Sequence, residues 1–287
     1  MMKLTSILSV ASYIATASAA LGKTTWLPEL GPSLNPGLGE KLPFKASTGN
    51  NPWTTTIPQV CQDTAISNKC KPSEMEVFGV TYPDCAKPWV MCRCSKSPMA
   101  QQTIRDVFGE VPVHLRSTVR HVMAFPTPDG KGCHAYASSG DIVFFGDCAN
   151  KTAPSVFLHE SAHTRDKNNY SKNTILPAVN SDTCVPDNYA NTNEVEDFAQ
   201  LMVVHTHKLV TGSSPKPTDC MSHQMDIMAR DWSASTLWPA TCDLSVKPPN
   251  SPSVNKTDPK NVARWASEGS APTPPEGVQL EDFGVVV

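Results

Sequence analysis

Residues 156–166 read Val-Phe-Leu-His-Glu-Ser-Ala-His-Thr-Arg-Asp, and no other stretch restricts the fold as much. As a helix it places His159 and His163 one turn apart on a single face, with Glu160 beside them, so both imidazoles reach one ion. The surroundings suit a helix: Pro154 fits a first turn, Thr152 or Ala153 falls at the cap, and Val156, Phe157, Leu158 and Ala162 supply an apolar wall. The plainer reading is a buried helix whose two His only satisfy polar neighbours. Against it, a chain with 8 His acquires this spacing by chance on the order of once in a hundred sequences of this length. Two imidazoles do not complete a zinc site, so a separate segment must return a third donor to this helix and leave a fourth position for water. The ion would lower the pKa of that water, and Glu160 can take its proton.

The compartment follows from the ends and the cysteines. Residues 1–19 carry Lys3, an apolar run through Leu8 and Ile14, and the small-residue site Ala17-Ser18-Ala19, which reads as a secretory leader. All 10 cysteines follow it, an even number that predicts up to five disulfides in an oxidising environment. Cys92-Arg93-Cys94 near Cys85 offers a rival zinc site, but the spacing is not C-x-x-C. Acceptor triplets at Asn150, Asn169 and Asn255 agree with secretion. A net charge of -3 without a basic cluster argues against nucleic acid or an anionic membrane as partner. No later apolar run has transmembrane length. The expectation is a secreted, extracellular monomer whose partner is a polypeptide or a small molecule.

Four regions are expected in the 287 residues: the leader, an extended Pro/Gly-rich arm over 20–58 that lies across the core or serves as a pro-segment, a folded domain over 59–245, and a disordered tail over 246–287. Within the domain, Val60 to Ser97 reads as a loop-rich, disulfide-stapled cap. A helix is predicted from Ser97-Pro98 to Gly109, and a second from Val113 through Val122, ending before Pro126 and carrying His114 and His121 as a packed or exposed stripe. Cys133 to Cys148 reads as a hairpin tied at its base, with Ile142 to Phe145 as the sheet edge beside the His159 helix, or else an ordinary buried strand. A further helix over Asn193 to His205 takes Asn191 or Thr192 as its cap, and the last lies around Met221 to Trp232. His205 and His207 are expected on the surface.

The helix after residue 192 offers the third donor. Glu196 is favoured, with Glu194 as runner-up, and Gln200 one turn later is placed to support a His ligand. Asp166, three residues after His163, is either a second such support or a helix-end acid.

The segments His159 to Asp166 and Thr192 to His205 together resemble the gluzincin superfamily of zinc metallopeptidases. Thr192-Asn193-Glu194 followed by Asp197-Phe198-Ala199 is similar to its lethal-factor-like branch. Trp89 to Cys94 and Gly109 to Val113 resemble secreted proteins of filamentous fungi. The gluzincin resemblance covers about fifty residues. It implies an α+β, zincin-like metallopeptidase fold with an active-site helix on a small mixed or antiparallel sheet. It also implies Zn2+ as cofactor, Glu196 as ligand, and Tyr189 as a second catalytic residue steadying an oxyanion. Gln200 departs from the pattern, which has an acid there.

The resulting expectation is a zinc metalloendopeptidase acting on a polypeptide substrate with Glu160 as general base. An aspzincin-like variant would use Asp187 or Asp197 as third ligand, although its Gly-Thr-x-x-Tyr-Asp run is missing. From other classes come a zinc-capturing protein with a degenerate peptidase fold, disfavoured because no His follows His223, and an inactive host-interaction protein suggested by Gln200.

Overall fold

Hydrophobic alternation and disulfides together assemble a mixed sheet with helices on both faces. The structure, a computed structural model, describes residues 20–127, 132–148, 153–259 and 274–283. The leader and the acceptor triplet at Asn150 lie outside them.

Residues 20–58 hold more structure than an extended arm. Strand β1 (Thr24–Thr25) is followed by helix α1 (Gly31–Lys41), then β2 (Gly49–Pro52) and β3 (Thr56–Pro58). Trp26, Leu30, Leu34 and Leu38 are buried, so this region belongs to the core. Two prolines and three glycines hide the α1 apolar spacing from a propensity reading.

The stretch expected as a loop-rich cap instead forms helix α2 (Gln59–Ser67) and the long antiparallel strands β4 (Met75–Tyr82) and β5 (Cys85–Cys94). β4 and the second half of β5, from Trp89 on, are buried on both faces, which erases the alternation by which a strand is recognised. Cys61–Cys92 and Cys70–Cys94 staple the α2 region to β5.

Helix α3 (Gln101–Glu110) appears where expected, but the next predicted helix does not. It stops as α4 (Val113–Arg116), and the run into His121 and Val122 becomes strand β6 (His121–Phe125), parallel to β5. His114 and His121 therefore share no helical face. The hairpin forms as β7 (Cys133–Ser138) and β8 (Asp141–Gly146), closed by Cys133–Cys148. Ser139 and Gly140 at its turn take φ of 52° and 87°, the left-handed pair a two-residue hairpin requires.

Helix α5 (Ala153–His163) carries the motif, α6 (Leu176–Ser181) follows a π-helical turn, and β9 (Cys184–Val185) pairs in parallel with β1. Helix α7 (Glu194–Thr211) is longer than predicted and ends at Gly212, whose φ of 75° is the left-handed stop. After it come α8 (Ser222–Asp231), α9 (Ala234–Leu237), β10 (Ser253–Asn255) and β11 (Glu281–Asp282). The region from 246, expected to be loose, returns to the body twice: β10 pairs with β3, and β11 with β7.

The main sheet runs β11-β7-β8-β6-β5-β4-β2, with β5, β6 and β8 parallel to their neighbours in that group. β8 is thus interior and not the expected edge; β7 is the outermost strand of the hairpin, and β11 lies against it. Side chains alternate between two cores: Val122, Ala124, Ile142 and Phe144 meet α5 and α7, while Met123, Phe125, Val143 and Phe145 meet the α2 side. Phe144 stacks on Phe157 at 4.1 Å between ring centroids and fixes α5 on the sheet. The remaining disulfides, Cys85–Cys242 and Cys184–Cys220, use all ten cysteines and remove the cysteine zinc alternative. The architecture is α+β and disulfide-stapled.

Candidate metal centre

Helices α5, α7 and α1 meet around His159. The first turn of α5 leaves backbone N–H groups without helical acceptors, and Asn35, buried on α1, answers one by accepting from Ser155 N at 3.0 Å. On α7 the cap is Asn193, not Asn191 or Thr192: its side chain accepts from Val195 N and Glu196 N at 2.9 and 3.0 Å. Asn191 is instead engaged by the N-terminal strand, donating to Lys23 O and accepting from Lys23 N. That exchange pins the loop carrying Asp187 and Tyr189.

With both helices anchored, Glu196 is brought to the two imidazoles. His159 Nε2 lies 2.9 Å from His163 Nε2, and Glu196 Oε2 lies 3.3 and 3.1 Å from those two atoms. A tetrahedral ion with bonds of about 2.1 Å has ligand atoms about 3.4 Å apart, so the triangle has nearly the size of one tetrahedral face. His159, His163 and Glu196 are the grouping of this kind among the described residues. Glu194, at the start of the same helix, is outside it. Burial opposes ionisation of Glu196, but His163 and His159 outweigh it and hold the carboxyl well below the usual range.

The His159 tautomer is set from behind. Its Nδ1 faces Gln200 Oε1 at 3.2 Å, and Gln200 Nε2 donates to Asp187 Oδ2 at 2.9 Å. An amide that donates to a carboxylate must present its oxygen to the ring, so Nδ1 carries the proton and the Nε2 lone pair is left available to an ion held with His163 and Glu196. Asp187 thus restores, one group farther out, the charge that Gln200 lacks. Its other oxygen accepts from Ala190 N at 2.9 Å. Burial pushes the Asp187 carboxyl upward against these bonds.

Other expected site residues are placed differently. Glu160 is fully buried on α5, within electrostatic reach of Tyr136. Half-buried Tyr189 sets its ring 5.8 Å from that of His159. Asp166 does not support a His: its two oxygens accept from Ser171 N and Oγ at 2.8 and 2.7 Å. Asp197 is fully buried, raised well above the carboxylate range by burial and then by Asp187 and Asp182, and stands outside the ligand grouping. His205 and His207 are buried, contrary to expectation; His205 Nε2 meets Trp232 O at 2.9 Å, and His207 packs where Gly37 lets α1 approach α7.

Sequence reasoning missed Asn35, Asp187 as the partner of Gln200, and Phe283. The Phe283 ring stands 5.7 Å from His159. None carries a local signal, since each comes from a distant segment.

The fold and site define a disulfide-stapled α+β protein with a buried two-His, one-Glu cluster. The chain belongs to the family of the conidiation-specific protein Con-13, whose model matches residues 33–238. Over 180 residues it is 38% identical to conidiation-specific protein 13 of Neurospora crassa, an alignment covering 59% of this chain and 51% of that protein. The chain spans about half the length of that curated relative. No solved structure matches it.

These comparisons overturn the expected gluzincin membership and the zinc metalloendopeptidase assignment, with its hydrolase and metalloprotease descriptors: the matching family and relative are conidiation-specific proteins, and neither description names a peptidase. The physical reason is that His-Glu-x-x-His and a later acid specify where donor atoms meet. They do not specify a reaction.

Proposed function

We propose that this chain is a secreted metal-binding protein of the Con-13 family, holding one divalent transition-metal ion, zinc first, between His159, His163 and Glu196. The observation that carries this reading is the triangle of donor atoms, all within 4.8 Å of one another, with His159 and Glu196 buried and His163 partly so. Two imidazoles and one carboxylate suit zinc, with copper as the competitor expected from intrinsic affinities. Three protein donors leave a fourth position for water or another ligand.

We take the scaffold to be zincin-like, as a helix with two His crossed by a second helix over a mixed sheet suggests; the likeness concerns how the ion is held. Such an ion would tie α5 to α7, so its binding would add to the stability of the folded state. Secretion is supported by the leader over 1–19 and the ten paired cysteines. The charge pattern still speaks against nucleic acid or an anionic membrane as partner, and we take the chain to be a monomer. By the relative's name, the setting is conidiation.

The test is metal content by mass spectrometry of the full chain from a secreting host, with a thermal melt. One zinc per chain is expected, with Glu196→Gln and His163→Ala losing it while remaining folded. A metal-free wild type under zinc-replete conditions would refute the reading, as would undiminished zinc in both variants.

A further inference from the structure

The last described segment lies over the metal centre. Residues 274–283 run to the outer side of β7, where Glu281 pairs with Ala135 and Asp282 with His134, and Phe283 N donates to Cys133 O at 2.9 Å. Beyond that bond the Phe283 ring turns inward. It meets His159 edge-on at 5.7 Å and 77°, and stands 6.5 Å from Tyr189, itself 5.8 Å from His159. Phe283 and Tyr189 therefore both pack against a ligand ring. Val278 and Leu280 pack against the α2-side core, whereas Phe283 packs against the core containing α5 and α7. The segment clasps the edge of the sheet from both faces.

The hold is slight by comparison with the rest of the sheet. β11 pairs through two residues, whereas β7 and β8 pair through six. A strand this short is not stable without side-chain anchors. Phe283, half-buried against His159, is the anchor nearest the ion position.

We propose that residues 278–283 are a displaceable cover over the site formed by His159, His163 and Glu196. This rests on the metal-binding reading and assigns the regulation of that site. Seated, the segment fills the β7 edge and its Phe283 ring screens His159. Displaced, it uncovers the ligand ring and a strand edge together, so metal exchange passes through the displaced form and its rate follows that form's population. A half-buried aromatic anchor is worth roughly tenfold in that population.

The experiment uses the full chain loaded with zinc, mixed with excess chelator, and follows metal loss in wild type, Phe283→Ala and Phe283→Trp. Phe283→Ala should lose zinc roughly tenfold faster, with Phe283→Trp at or below the wild-type rate. Amide hydrogen exchange over 133–138 and 278–283 should rise in the Ala variant alone, while the melting temperature stays close to wild type. Equal rates of zinc loss in loaded chains would overturn the cover and leave the metal site standing. A wild type that binds no zinc would remove the metal reading, and with it the cover's purpose.

Discussion

Replacing Gln200 by Leu removes the amide between His159 and Asp187 with little change of volume. Two hydrogen bonds go, the 3.2 Å contact with His159 Nδ1 and the 2.9 Å donation to Asp187 Oδ2. A neutral bond contributes about 0.5–1.5 kcal/mol and one to a charged group about 1.5–3 kcal/mol, for a sum of about 2–4.5 kcal/mol. Burial already pushes the Asp187 carboxyl upward, so on losing its donor it takes a proton instead of remaining a bare buried charge. That limits the loss to the lower part, about 2–3 kcal/mol. Zinc affinity should fall about 10–100-fold, because the ring loses its fixed tautomer and orientation. Competition with a chromophoric chelator at neutral pH measures the affinity, and urea unfolding of the metal-free chain measures the stability. Gln200→Glu sharpens the test. Two buried acids sharing a site take up one proton between them, which Asp187, already pushed upward by burial, holds and donates while the new carboxylate backs His159. Zinc binding should therefore be kept or strengthened at neutral pH. A Leu variant with a Kd within about twofold of wild type and an unchanged urea midpoint would refute the relay, as would a Glu variant that binds as weakly as the Leu variant.

The α1 core contact predicts that Leu34→Ala, at a fully buried position, costs about 2–5 kcal/mol in chemical unfolding; a change near zero would show residues 20–58 to be separable from the body. Burial, and then Asp106 one turn earlier, push the Glu110 carboxyl from its ordinary 4.5 up to about 7. Because the folded-state value is the higher one, the stability linked to its proton is complete below 4.5 and lost as pH rises through about 7. Unfolding curves of wild type and Glu110→Gln should therefore diverge across that window, the wild type losing more; parallel curves would remove Glu110 as the cause.

Some of this architecture is legible along the chain. The hairpin shows because alternating residues between Cys133 and Cys148 flank a Ser-Gly turn, and α3 because its apolar residues recur at helical spacing. β4, β5 and β6 do not, since strands buried on both faces lose their period, and β6 continues a pattern that fits a helix equally well. α1 is hidden by its prolines and glycines. The activity is not legible for a different reason: the spacing of two imidazoles and an acid fixes where donor atoms meet and leaves the reaction open.

Taken alone, the sequence determines that two imidazoles share a helical face, that the cysteines are even in number, and that acids and an amide lie on a later segment. These are matters of spacing along the chain. Only the tertiary structure decides that Glu196 and not Glu194 meets the imidazoles, because two positions on a helix point roughly 200° apart and the Asn193 cap sets where α7 begins. It also decides that Asp187 stands behind Gln200, which cysteines pair, and that the last strand turns Phe283 onto His159. Each of these depends on contacts between residues far apart in the chain, where burial and hydrogen bonding fix what local preference leaves open.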